Sequence, residues 1–111
     1  MGVFAAGEVA LLPFPFSDLS RNKLRPAVLL ASASREDWIV CQITSNPFGD
    51  PSSISLTASD FSAGALQHIS YVRPGKVFTA HESLIASVIG TLEPKMLTTV
   101  RNAVIAILQQ T

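Results

Sequence analysis

The first apolar run of the chain, GEVALL at residues 7–12, stops at Pro13, which predicts a buried strand entering a loop. PAVLLASA, residues 26–33, predicts a second strand, with Pro26 tolerated at its first position because no ladder donor is required there. A polar turn, SRED, occupies residues 34–37. WIVCQITS, residues 38–45, then alternates as a third strand. Trp38, Val40, Gln42 and Thr44 share one face, and Ile39, Cys41 and Ile43 share the other, which is the expected core face. NPFGDPSS, residues 46–53, is dense in turn formers, ISLT at 54–57 reads as a fourth strand, and DFSAGALQ at 60–67 reads as a loop. Short strands are expected at 69–72 and 76–79, on either side of Pro74-Gly75, and at 86–91.

From Pro94 the period changes. In PKMLTTVRNAVIAILQQ the apolar residues fall at 96, 97, 100, 104, 107 and 108, the spacing of one helical face. Pro94 suits a first helical position, and Glu93 lies where the helix dipole favours an acid. The pattern therefore predicts a mainly β fold, α+β by content. Its architecture is a small closed or nearly closed barrel of about five to seven short strands with a C-terminal amphipathic helix packed on it. Repeats, low-complexity tracts and linkers are absent from the sequence.

Composition narrows the picture. A chain of 111 residues implies a single domain, 1–111. Its apolar fraction is 48% and its charged fraction 14%, the latter well below the about 25% of soluble domains, so a homodimer or partner-binding face is expected. Eight basic and eight acidic residues cancel, so any polyanion site must be local. Cys41 is the only cysteine, and His68 and His81 lie thirteen positions apart, so an intrachain disulfide, a thiolate cluster and zinc-type spacing are excluded; no cofactor or metal is implied. The apolar N-terminus has no basic residue before Glu8 and is interrupted by Gly7, Glu8 and Pro13, which fits neither a signal peptide nor a membrane span. A cytoplasmic protein without membrane contact is the expectation.

The segment LPFPFSDLSRNKLRP, residues 12–26, belongs to neither flanking strand and gathers Arg21, Lys23 and Arg25 within five positions. With its neighbours, GEVALLPFPFSDLSRNKLRPAVLL resembles the opening of PemK/MazF-like toxins, where a strand leads into a loop ending in Arg-Pro and a hydrophobic strand. VCQITS is similar to that family's third strand, and SYVRPGKVFT with SLIASVIGTLEPKMLTTVRNAV is similar to its later half. The likeness runs from Gly7 to Leu108, and the ordered set of segments is far more specific than any one of them. The resemblance implies an SH3-like barrel, a homodimer, and a sequence-selective endoribonuclease toxin acting on single-stranded RNA. It further implies neutralisation by a cognate antitoxin, with DNA binding by the antitoxin complex. Carried over residue by residue, it assigns catalysis to Arg25 and Thr44, a neighbouring hydroxyl to Ser45, and a phosphate contact to Arg73. Many relatives have an acid two positions after that last Arg; this chain has Gly75.

Metal-free RNA cleavage must remove a proton from the 2'-hydroxyl, return one to the 5'-oxygen and hold the added charge on phosphorus. The planar fork of Arg25 suits the charge-holding task better than proton donation. Thr44 and Ser45 can donate hydroxyl hydrogen bonds to phosphate but are not bases. Asp18, on the loop with Arg25, is the first choice of base, with His81 and Glu82 in reserve. Phe16, Asp18, Arg21, Lys23, Ser45, Arg73 and Lys76 complete the expected RNA contacts.

Plainer readings stand beside these. Arg25 can be a solvated residue before a strand, Thr44 a strand-end hydroxyl capping a turn, and Arg73 an ion-pair partner of Asp60 or Glu82. Phe14 is expected to pack its loop on the barrel or to sit in a dimer interface, whereas Phe16 is the expected exposed ring and Phe48 can stack on bases. Trp38 fits a dimer face or the core, Cys41 is a small core residue, and His68 is a loop histidine. At the level of function, the alternatives are a non-catalytic toxin like the CcdB proteins, which share the barrel and inhibit gyrase by contact, or a decayed, inactive member.

Overall fold

The computed structural model describes residues 3–14 and 23–110. Seven antiparallel strands form one curled sheet, a half-barrel with a single C-terminal helix. In chain order they are β1 (Glu8–Pro13), β2 (Leu24–Ser34), β3 (Asp37–Thr44), β4 (Ile54–Leu56), β5 (Phe61–Gly64), β6 (Ser70–His81) and β7 (Ser87–Leu92), followed by α1 (Pro94–Leu108). The order across the sheet is β4-β6-β3-β2-β1-β7-β5, so the barrel is left open between β4 and β5. The expected mainly β class with its C-terminal helix is what the chain adopts.

The centre of the sheet is buried on both faces, which alternation alone did not predict. Inside the curl, Val9, Val28, Leu30, Cys41, Ile43, Leu56, Val72 and Leu92 pack with Val100, and Met96, Leu97 and Val104 of α1 close over them. On the outer face, Ala10, Leu12, Phe14, Ala27, Leu29, Trp38, Val40 and Ala80 form a second layer, covered by Phe4, Ala6, Phe78 and Ile85. The Trp38/Val40 side of β3 is therefore core as well: Trp38 is buried and its Nε1 donates to Glu82 Oε2 at 3.0 Å. Phe14 packs edge-on against Phe78, with ring centroids 5.2 Å apart. Two buried layers account for part of the high apolar fraction without invoking a partner.

Two expectations fail for identifiable reasons. Residues 60–67 are not all loop, since Phe61–Gly64 is an edge strand on β7. Ser62, Ala63 and Gly64 have poor strand propensity, so pairing rather than propensity forms β5. Here Gly64 sits at φ +68° opposite Gly90, and a Cβ at Gly64 would meet the Ile89 carbonyl oxygen, so glycine is required. The two strands expected around Pro74-Gly75 are one, β6. Val72 pairs with Ile43 and Val77 with Cys41, so residues 73–76 bulge out of the ladder opposite Gln42 alone. Pro74 needs no ladder donor inside a bulge, and it is fully buried there.

A second bulge, on β2, holds the helix. The β2–β3 register shifts between Leu29 and Ala31, and the Leu30 carbonyl accepts from Arg101 Nε at 3.0 Å and Nη2 at 2.7 Å. One guanidinium thus satisfies the bulge and ties α1 to the sheet. Replacing it in Arg101→Met keeps the aliphatic stem but leaves that carbonyl without its charged donor. The variant is expected to lose about 1–2 kcal/mol, seen as a lower urea midpoint with an unchanged slope.

Candidate active site

At one end of the sheet a groove of about 540 Å³ opens between the start of β2, the end of β3 and the loop joining β5 to β6. Lys23, Arg25, Thr44 and Ser45 line it, together with Gln67, His68 and Ser70. Leu11, Leu24, Pro26, Ile43, Leu66 and Ile89 supply its apolar wall. The strand register explains the meeting. Ala27 pairs with Gln42 in the β2–β3 ladder, and the same register continued by two residues sets Arg25 across from Thr44. Among the described lining residues there are two cations and no carboxylate. A chain of zero net charge therefore carries a locally cationic groove.

Thr44 ends β3 in a turn of its own. Its hydroxyl donates to the Asn46 carbonyl at 3.1 Å and accepts from the Asn46 amide at 3.2 Å. The strand-end cap and the groove-lining position thus coexist in one residue. Ser45, next in the chain, is exposed. Asn46 continues the turn by accepting from the Phe48 amide at 2.9 Å, and Phe48, at φ +56°, is held out and is 68% exposed.

The other sequence candidates lie elsewhere. Arg73, in the β6 bulge, does not line the groove. Its Nε binds Asp50 Oδ2 at 3.1 Å and its guanidinium lies 5.6 Å from the Phe48 ring centroid. The ion-pair partner is thus Asp50, neither Asp60 nor Glu82. Lys76 belongs to the same neighbourhood, its charge acting on Asp50. His81 and Glu82 are at the far end of β3, where His81 pairs with Asp37, roughly 20 Å along the strand from Thr44. There the His81 Nε2 meets Glu36 Oε1 at 3.0 Å and Glu82 accepts from Trp38. Neither reserve base can reach a phosphate held by Arg25. Phe16, Asp18 and Arg21 lie outside the described residues. Gly75 faces away from this chemistry: a Cβ there would have Ile107 Cδ1 of α1 as its neighbour, at 4.0 Å.

Cys41 is inert where it sits. Burial pushes its thiol up to about 12, and Sγ donates to the Arg73 carbonyl at 3.1 Å. The sequence reading missed the β5–β6 loop, whose Gln67 and His68 form one wall of the groove. No local pattern marks them, because only the pairing of β5 with β7 carries that loop to the end of β3.

The comparisons agree with this architecture. Residues 5–108 match the model of the PemK-like, MazF-like toxin of type II toxin-antitoxin systems, and the chain belongs to that family. A mycobacterial endoribonuclease in complex with its cognate antitoxin is similar in fold, with 13% identity, 98% of each chain covered and a TM-score of 0.74. MazF of Deinococcus radiodurans is similar at 22% identity, covering 99% of this chain and 100% of its own, with a TM-score of 0.74. A chain of a MazE-MazF structure from the same organism gives 21%, 99%, 100% and 0.75. Among curated proteins no match was found.

The Asp50 cluster yields a pH prediction. The Ser52 amide first, then the Arg73 guanidinium, hold the Asp50 carboxyl below its ordinary 3.8. Its contribution to stability is therefore complete above pH 3.8 and is lost as the pH falls through the lower folded value. Asp50→Asn should unfold more readily than the parent at pH 7. The gap should narrow as the pH falls below 3.8 and close once the parent carboxyl is protonated too, as urea midpoints across the range would record.

Proposed function

We propose that this toxin-family chain is a metal-independent, sequence-selective endoribonuclease that cleaves single-stranded messenger RNA to 2',3'-cyclic phosphate ends. One observation carries the reading: the groove assembles Lys23, Arg25, Thr44 and Ser45, cations and hydroxyls, with no carboxylate among its described lining residues. On its polar side a phosphate meets cations and hydroxyl donors and no like charge among the described lining residues. In this reading Arg25 forks onto the non-bridging oxygens as charge builds on phosphorus, and Lys23 holds the neighbouring backbone. Ser45 donates to a phosphate oxygen, while Thr44 fixes the turn that presents Ser45 and turns its own hydroxyl toward substrate on binding.

The same groove suits an acidic antitoxin tail. Its cations would pair with carboxylates, and its apolar wall of Leu11, Leu24, Ile43 and Ile89 would take intervening hydrophobic side chains. A homodimer acting in the cytoplasm completes the proposal. Its support is the 14% charged fraction together with exposed Leu24, Ile69 and Val88.

Incubated with a mixed single-stranded RNA pool in EDTA, the purified protein should cut at a recurrent short sequence. Arg25→Ala should lose about 10²–10³-fold in rate, with its thermal midpoint kept. Arg25→Lys should recover little, because a point charge does not replace a bidentate fork. Thr44→Ala should fall by about tenfold if it acts mainly on the turn. No cleavage by folded wild-type protein at high concentration would overturn the reading.

A further inference from the structure

We infer that His68 is the base that takes the 2'-hydroxyl proton in this groove. The inference rests on the endoribonuclease reading and names the group which that reading leaves open. Among the described residues lining the groove, Lys23 and Arg25 are cations, and Thr44, Ser45, Ser70 and Gln67 are neutral. His68 alone belongs to the side-chain class that gains and loses a proton near neutral pH. It is exposed and lines the same groove as Lys23 and Arg25, so a phosphodiester bound there would offer its 2'-hydroxyl to the ring.

The loop that carries it is built to stay in place. Gly64 at φ +68° turns the chain out of β5 against Gly90. At the other end the buried Ser70 donates its hydroxyl to the His68 carbonyl at 3.1 Å, fixing the backbone where β6 begins. Behind this wall lies a second pocket of about 270 Å³, lined by Leu56, Thr57, Phe61, Leu66, Gln67 and His68. Gln67 and His68 therefore divide a cationic groove from an apolar pocket with room for one nucleobase. The residue that positions the 2'-oxygen also borders the place for the adjoining base.

The step balances as a transphosphorylation. The imidazole nitrogen accepts the 2'-hydroxyl proton, the freed oxygen pair forms the O2'–P bond, and the P–O5' bond breaks with its electrons going to O5'. Solvent water protonates O5', and the imidazolium returns its proton to water. Among the described residues the charged groups that share the groove with His68 are Lys23 and Arg25, and its own loop, residues 65–69, contributes none.

The test is single-turnover cleavage of the RNA pool in EDTA from pH 5 to 9 by wild type, His68→Gln, His68→Ala and Asp18→Asn, each checked for an unchanged thermal midpoint. Wild type should gain about tenfold per pH unit on the acid side and then level off. His68→Gln should fall by about 10²-fold and lose that acid limb; added imidazole should restore part of the rate to His68→Ala, and Asp18→Asn should keep the limb. An active His68→Gln that retains the limb, or loss of the limb in Asp18→Asn instead, overturns the assignment of the base while leaving the endoribonuclease reading intact. A folded wild type that cuts nothing overturns both.

Discussion

A strand ladder buried on both faces has no water to satisfy its peptide groups, and its register cannot slip without exchanging one core for another. β2 and β3 are such a ladder. Ala27 and Leu29 with Val40 and Gln42 face one way, and Val28 with Cys41 faces the other. A slip by one residue would drive Val28 and Cys41 out of the inner core. The register that packs both layers also brings Arg25, at the entry to β2, across from Thr44, at the exit of β3. The groove is thus a consequence of how the two cores are filled, not a separate construction on the surface.

Charge is distributed with the same economy. Arg101 is committed to the Leu30 carbonyl, Arg73 to Asp50, and His81 to Glu36. Each of these pairs serves a bulge, a loop or a turn. Lys23 and Arg25 instead share a groove with no carboxylate among its described lining residues. In a chain with equal numbers of acids and bases, that arrangement leaves positive potential at one end of the sheet without a basic protein overall.

Much of this was legible in the sequence. The runs at 7–12, 26–33 and 38–45 become β1, β2 and β3 within one or two residues, and the spacing of Met96, Leu97, Val100 and Val104 marks the helix face that covers the inner core. Arg25, Thr44 and Ser45, assigned through the family resemblance, line one groove. Features that depend on distant pairing were not legible. β5 has no strand composition and exists because β7 lies beside it. Arg73 and Lys76 were both expected to contact RNA, but the bulge around Pro74 turns Arg73 to Asp50, twenty-three positions away in the chain. His68 looked like an ordinary loop residue because nothing local records that its loop ends at the groove.

The central claim is that single-stranded RNA binds where the ends of β2 and β3 meet the β5–β6 loop. Amide chemical-shift mapping with a 2'-O-methyl RNA pool, which binds but cannot cyclise, tests it most directly. The account predicts shifts concentrated at Lys23, Arg25, Thr44, Ser45, Gln67 and His68, weakening as salt is raised. Shifts confined to the Glu36–His81 end of the sheet, or to the exposed face of α1, would contradict it.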